Sequence, residues 1–182
     1  MLVNTAQSYA KQRFTACHEL YHLLYQEQFT VSQNNAGLFN KKETEEYNAD
    51  LFASYLLLPE MGLKELTPDK EQSRNKITLA TLLKIEQNFG CSRSALLMRL
   101  KGLGWITDEV FARYQKDVRK SAIEYGYSTR LYEPTYQTEL VGDYNLKARA
   151  LYDAGLISQA KYFSLLADMG LDFSKELGDG EE

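Results

Sequence analysis

The chain has two histidines, and both fall in one five-residue pattern, His18-Glu19-Leu20-Tyr21-His22. Side chains four apart on a helix project from the same side, about one turn from each other, so both imidazoles can reach one ion. Glu19 follows His18 about 100° round the helix, close enough to hydrogen-bond water at that ion without itself being a ligand. These residue types at this spacing point to zinc, and to hydrolysis by a water that the metal activates. The competing reading is a pair of ordinary helical histidines on a partly buried face. It has to place both histidines and a glutamate in this order by chance.

Zinc with three protein ligands keeps a fourth position open, the mark of a catalytic site. The next helical segment offers the third ligand. Glu46, Ala49, Asp50 and Ala53 recur at i, i+3, i+4 and i+7, so two carboxylates stand one turn apart with small alanines between them. Another helix can approach such a face closely. That is the layout of a third ligand, Glu46, and of a carboxylate, Asp50, that orients one ligating histidine through its other ring N–H; which histidine is left open. Alone, Glu46 would read as part of an exposed acidic first turn with Glu43 and Glu45, which suits the positive end of a helix dipole.

The elements that must position these groups follow from periodicity. An active helix is expected from about Gln7 to Gln26, with Phe14, Cys17, Tyr21 and Leu24 as the stripe that packs it on a core. Cys17 then reads as a small buried apolar residue. A short extended piece at Leu2-Val3 is expected before it, and residues 29–42 read as a loop or short hairpin. The second helix is expected from Glu43 to Leu58, stopped by Pro59, with Phe52, Leu56, Leu57 and Leu58 as its core face.

The segment Arg13-Phe14-Thr15 before His18-Glu19-Leu20-Tyr21-His22, followed by Glu46-Tyr-Asn-Ala49-Asp50-Leu-Phe52-Ala53-Ser-Tyr-Leu56-Leu57-Leu-Pro59, resembles the ImmA/IrrE family of metallo-endopeptidases. The second motif fits that family's ExxA(N/D)xFAxxLLxP pattern at every defined position. The likeness covers roughly residues 2–60 and continues more weakly to about residue 105. It implies Zn(2+) held by His18, His22 and Glu46, with Glu19 as the general base. Tyr21 stands where HELGH has glycine. Asn48 stands where many members carry a second acid, which leaves Glu46 as the ligand in that turn. The sequence begins at the strand leading into the active helix, where relatives carry a further segment, so an open sheet edge or a cleft lacking one wall is expected. The implied substrate is a protein, a bacterial or phage helix-turn-helix repressor encoded nearby.

The implied fold is α+β and predominantly helical. A zincin-like catalytic region (1–66) would consist of the active-site helix, the Glu-bearing helix and a small remnant sheet. A helical region (67–182) would follow, entered through a polar linker at residues 68–76. Within it, residues 77–104 read as a helix-turn-helix-like hairpin broken at Gly90 and capped by Ser92. Arg93, Arg99 and Lys101 would face phosphates or bases if the hairpin bound DNA. The formal charge of −4 and the few basic side chains there weigh against nucleic acid as a partner. Residues 108–121 read as one mixed-charge helix with Arg113, Lys116, Arg119 and Lys120 on a solvated side. The tyrosine-rich stretch after it offers Tyr125, Tyr127, Arg130, Tyr132 and Tyr136 as donors to a developing oxyanion, with plain aromatic packing as the alternative. Helices at Tyr144–Ala154 and Ser158–Met169, joined at Gly155, and a frayed acidic tail at 177–182 complete the expectation.

Two cysteines do not make a disulfide framework. The N-terminus lacks a signal-peptide layout and no apolar run approaches the roughly 20 residues of a membrane span. A cytoplasmic protein with no membrane partner is expected. Two further readings stay open beside the peptidase. One is a zinc-binding regulatory protein with weak or no turnover that binds a repressor or antitoxin; the other is a DNA-binding regulator carried by residues 77–104.

Overall fold

Helix α1, Tyr9–Tyr25, buries Ala10, Phe14, His18 and His22, a single row at four-residue spacing. This corrects the expected stripe. Leu24 is exposed, and Cys17 and Tyr21 are only half-buried. The more apolar row loses because the histidine row faces helix α2, Thr44–Leu57, whose Asp50 bonds His18 and whose Glu46 lies beside both imidazoles. Ala49 and Ala53 of α2 have no exposed surface at all; their small side chains let the two helices approach closely, as the spacing predicts. Phe14, Ala53 and Ala95 form a small buried cluster at this contact, with Cys17 packed on its edge. The structure, a computed structural model, describes residues 3–26, 36–37, 39–40, 42–136 and 142–168. The extended piece at Leu2, most of the 29–42 loop, Met169 and the acidic tail lie outside the described residues.

Helix α2 ends before Pro59, which begins helix α3, Glu60–Leu66. Leu58 is fully buried, Leu57 and Phe52 are half-buried, and Leu56 is exposed, against expectation. Phe52 packs edge-on against Tyr25 and tilted against Tyr21. The polar stretch 68–76 does not run free. A 3₁₀ turn at Asp69–Glu71 carries the Glu71 carboxylate to the Thr78 backbone N–H at 2.9 Å and hydroxyl at 3.0 Å. There Thr78 caps helix α4, Leu79–Phe89.

Helix α4 and helix α5, Arg93–Gly102, form the expected hairpin. Leu82, Ile85, Leu96, Leu97 and Leu100 join Leu58, Leu63, Ile77 and Val110 in the main core, each fully buried leucine contributing about 1.5–3 kcal/mol. Gly90 closes α4 in the left-handed conformation, φ +61, and Arg13 of α1 lies across it. A Cβ at residue 90 would fall 2.0 Å from Arg13 Nη1. Two of the three side chains that DNA binding would need, Arg93 and Arg99, are buried. Arg93 is buried against Glu86, bonding through Nε and, at 3.1 Å, through Nη2, and it also reaches Ser121 and the Tyr114 carbonyl. Arg99 is buried too, while Lys101 pairs with Asp108.

The expected helix at 108–121 is two, α6 (Asp108–Tyr114) and α7 (Val118–Glu124), separated by Asp117 at φ +51. Residues 130–135 then run beside the start of α1. The Tyr9 N–H donates to the Glu133 carbonyl at 2.8 Å, and the Thr135 N–H to the Thr5 carbonyl at 3.2 Å. The small sheet is not found: among the described residues the sole β pairing is one bridge, Ser8 with Pro134, and the fold is predominantly helical. Among them, too, no helix is long and apolar enough to cross a membrane.

The chain divides into two compact units, residues 1–135 and 136–182. The hairpin and the histidine helix both lie in the first of these units. In the second unit, helices α8 (Tyr144–Asp153) and α9 (Gln159–Asp168) form a hairpin turned at Gly155, with Tyr152 and Tyr162 stacked at 5.0 Å.

Candidate metal centre

The His18 Nε2 atom stands 3.1 Å from His22 Nε2 and 3.1 Å from Glu46 Oε2, and His22 Nε2 is 3.6 Å from Glu46 Oε1. Donor atoms of all three residues lie within 4.8 Å of one another. Helical repeat on α1 supplies the first two, and the first turn of α2 brings the third across the alanine-lined contact. Behind His18, Asp50 Oδ1 is 2.9 Å from Nδ1. A carboxylate only accepts, so Nδ1 carries the proton and Nε2 presents a lone pair to the centre. The carboxylate that orients a histidine thus serves His18, which the spacing alone left open.

The fit to a metal can be tested on these contacts. With its proton on Nδ1, His18 turns the Nε2 lone pair toward a Glu46 carboxylate oxygen 3.1 Å away, an arrangement that repels unless a cation is shared between them. Tetrahedral coordination at about 2.0–2.1 Å separates donor atoms by about 3.3 Å, close to the spacings found. The electrostatics agree. Burial pulls the His18 pKa down, but the Asp50 hydrogen bond and the charges of Asp50, Glu46 and Glu19 outweigh it and raise the value. Surroundings that attract an extra proton attract a metal ion for the same reason. The group could hold a metal ion. His18 is 1% exposed and His22 6%, while the Glu46 side chain is 20% exposed, so the centre opens on the glutamate side. Glu19, half-buried, stands next along α1; among the described residues no hydrogen bond or ion pair occupies its carboxylate.

One supporting feature is invisible in the sequence pattern. Asp50 accepts two further bonds at 2.7 Å, from the backbone N–H groups of Gly37 and Phe39. One carboxylate therefore orients a histidine and pins the loop before α2. Gly37 at φ +90 and Phe39 at φ +50 adopt the left-handed region to reach it, and the glycine in Asn34-Asn35-Ala36-Gly37 was the one available signal. His22 has no such support: its buried Nδ1 lacks a hydrogen-bond partner among the described residues.

The proposed oxyanion donors fare differently. The Tyr132 hydroxyl donates to the buried Glu86 carboxylate at 2.6 Å. Segment 130–134 meets α1 at Tyr9, roughly 13 Å of helix before His18. Tyr125, Arg130 and Tyr136 are exposed and Tyr127 half-buried. None of the five is bonded to His18, His22 or Glu46 among the described residues.

Residues 1–101, just over half of the chain, match the family model described as the IrrE N-terminal-like domain, Peptidase_M78. No curated protein and no solved structure matches the chain.

Proposed function

The chain belongs to the IrrE N-terminal-like peptidase family, and from that premise we propose that it is a zinc-dependent endopeptidase acting on a protein substrate. The observation that carries the proposal is the convergence of His18, His22 and Glu46 on one point, with Glu19 next along α1. Two nitrogens and one carboxylate oxygen form a donor set that suits zinc. Those three residues would hold it, and Asp50 would keep His18 in the ligating tautomer. When bound, zinc supplies Lewis acidity, polarising the scissile carbonyl and making water acidic enough to react near neutral pH.

The rest is the work of the chain. Glu19 takes a proton from the attacking water as its oxygen bonds to the carbonyl carbon, then delivers that proton to the amine nitrogen as the C–N bond breaks. The burial of both histidines keeps bulk water from their lone pairs. For the substrate, the family resemblance supports a bacterial or phage helix-turn-helix repressor encoded nearby. Arg93 is buried on Glu86 and Lys101 is paired with Asp108, which speaks against the reading of the hairpin as a DNA-binding element.

The test combines metal analysis of the purified protein with incubation against the repressor encoded alongside it. The expected result is one zinc per chain in both parent and Glu19→Gln, and repressor cleavage by the parent alone. Cleavage by Glu19→Gln at the parental rate would remove Glu19 from its role. Zinc retention with no cleavage by the parent would favour a binding protein that has lost turnover.

A further inference from the structure

A groove of about 270 Å³ lies between α2 and α5, on the face of α2 adjacent to Glu46 and Asp50. Phe39, Leu51, Tyr55 and Met98 give it apolar walls, and Arg99 and Lys101 line its cationic side. Its size is just below the ~300–1,000 Å³ of clefts that enclose a whole small molecule, which suits a few side chains of a longer ligand.

The charge at the groove is unusual. Arg99 is 7% exposed in a chain of net charge −4, yet no carboxylate pairs with it among the described residues. Its Nε donates to the Leu58 carbonyl at 3.1 Å, and its guanidinium lies 4.1 Å over the Tyr55 ring. One of five N–H donors is accounted for. Glu60 feels the charge of Arg99, but its carboxylate is held foremost by Lys64, at 2.6 Å. A buried cation is ordinarily matched by an acid. Here the side open to an acid is the groove, whose other cation, Lys101, is more exposed and already paired with Asp108.

We propose that this groove docks a peptide segment in which a large apolar side chain neighbours a carboxylate, the apolar group against Leu51 and Met98 and the acid on Arg99. Phe39 connects the groove to the metal centre. Its ring lines the groove while its N–H is bonded to Asp50, the residue that orients His18. The segment's owner is then the protein that the metal centre cuts; that attribution rests on the peptidase reading, whereas binding in the groove does not.

The experiment selects a phage-displayed random 12-residue peptide library on the immobilised full chain carrying Glu19→Gln, then measures binding of fluorescein-labelled enriched peptides by polarisation. Enriched sequences are expected to place Asp or Glu within three positions of Leu, Ile, Met, Phe or Trp. Changing that acid to its amide should weaken binding about tenfold, the size of one charge-assisted hydrogen bond. Lys101→Glu, at a surface position, and Met98→Glu, inside the groove, should each weaken it as much. The proposal is overturned if no peptide is enriched, if enriched peptides lack the acid–apolar pairing, or if both variants bind within twofold of the parent. A dimer in solution that Met98→Glu dissolves would assign the groove to a second copy of the chain and overturn it as well. Binding without cleavage by the parent would count against the peptidase reading alone, and cleavage without groove binding against the groove alone.

Discussion

Replacing Asp50 tests the central structural relation, because one carboxylate 2% exposed serves three donors. It bonds His18 Nδ1 at 2.9 Å and the Gly37 and Phe39 N–H groups at 2.7 Å each. In Asp50→Ala all three lose their acceptor, two of them backbone groups with no alternative among the described residues. A hydrogen bond to a charged group contributes about 1.5–3 kcal/mol, and an orphaned buried donor costs about 1–3 kcal/mol. Gly37 is exposed and Phe39 half-buried, so their freed N–H groups can turn to water, and a loss of about 2–3 kcal/mol is expected of the about 5–15 kcal/mol of a typical domain. Asp50→Asn keeps one carbonyl oxygen with two lone pairs but turns an NH₂ toward one of the three donors, so about 1–2 kcal/mol should be lost. Metal affinity should fall in both variants by about 10–100-fold, the usual effect of removing the group behind a histidine ligand. The assay is urea denaturation of the metal-free protein, paired with zinc competition against a chromophoric chelator. Parental zinc affinity in Asp50→Asn, within twofold, would refute the claim that this carboxylate sets the tautomer of His18.

Further outcomes follow from the buried polar groups elsewhere. Arg93→Met should lower stability by about 3–5 kcal/mol in urea denaturation, since it leaves Glu86, 0% exposed, without its cation; adding Glu86→Leu should restore most of that loss. Tyr132→Phe should lose about 1.5–3 kcal/mol with its bond to Glu86 while peptide hydrolysis per folded molecule stays unchanged. Lost turnover at parental stability would return Tyr132 to the metal centre. Burial pushes the Glu71 carboxyl up, but hydrogen bonds from Thr81 and Thr78 outweigh it and hold the value below the ordinary 4.5. A depressed carboxyl contributes stability that is present above pH 4.5 and fades as pH falls through the folded value. Glu71→Gln should therefore lose stability at neutral pH and flatten the acid limb of the stability–pH curve, measured by denaturation between pH 7 and pH 3.

The residues of the candidate metal centre were legible because their relation is local. A four-residue step on α1 and another on α2 put two histidines on one side and two carboxylates on the other, whatever the rest of the chain does. The buried face of α1 was not. Phe14, Cys17, Tyr21 and Leu24 form the more apolar row, and only the acids on α2 make it favourable to bury His18 and His22 instead. Arg93 and Arg99 look like surface cations for a related reason. Glu86 and the Leu58 carbonyl, which receive them, come into range only when the hairpin and the end of α2 pack. The Asp50–loop bonds belong to the same class, for backbone N–H groups carry no signature in a list of residue types. The break at Asp117 shows another limit, since a mixed-charge segment has the same helical period on either side of a single left-handed residue.

The crossing of Arg13 over Gly90 has a mechanical consequence for the centre. The Arg13 side chain rests on bare backbone, one contact between α1 and the end of α4. One residue of slippage amounts to about 1.5 Å and 100°, enough to swing both imidazoles away from Glu46. Contacts that hold α1 in place, this one among them, therefore bear on the geometry of the candidate centre. A Cβ at position 90 would first push aside the tip of the Arg13 side chain and would also strain the left-handed backbone at φ +61.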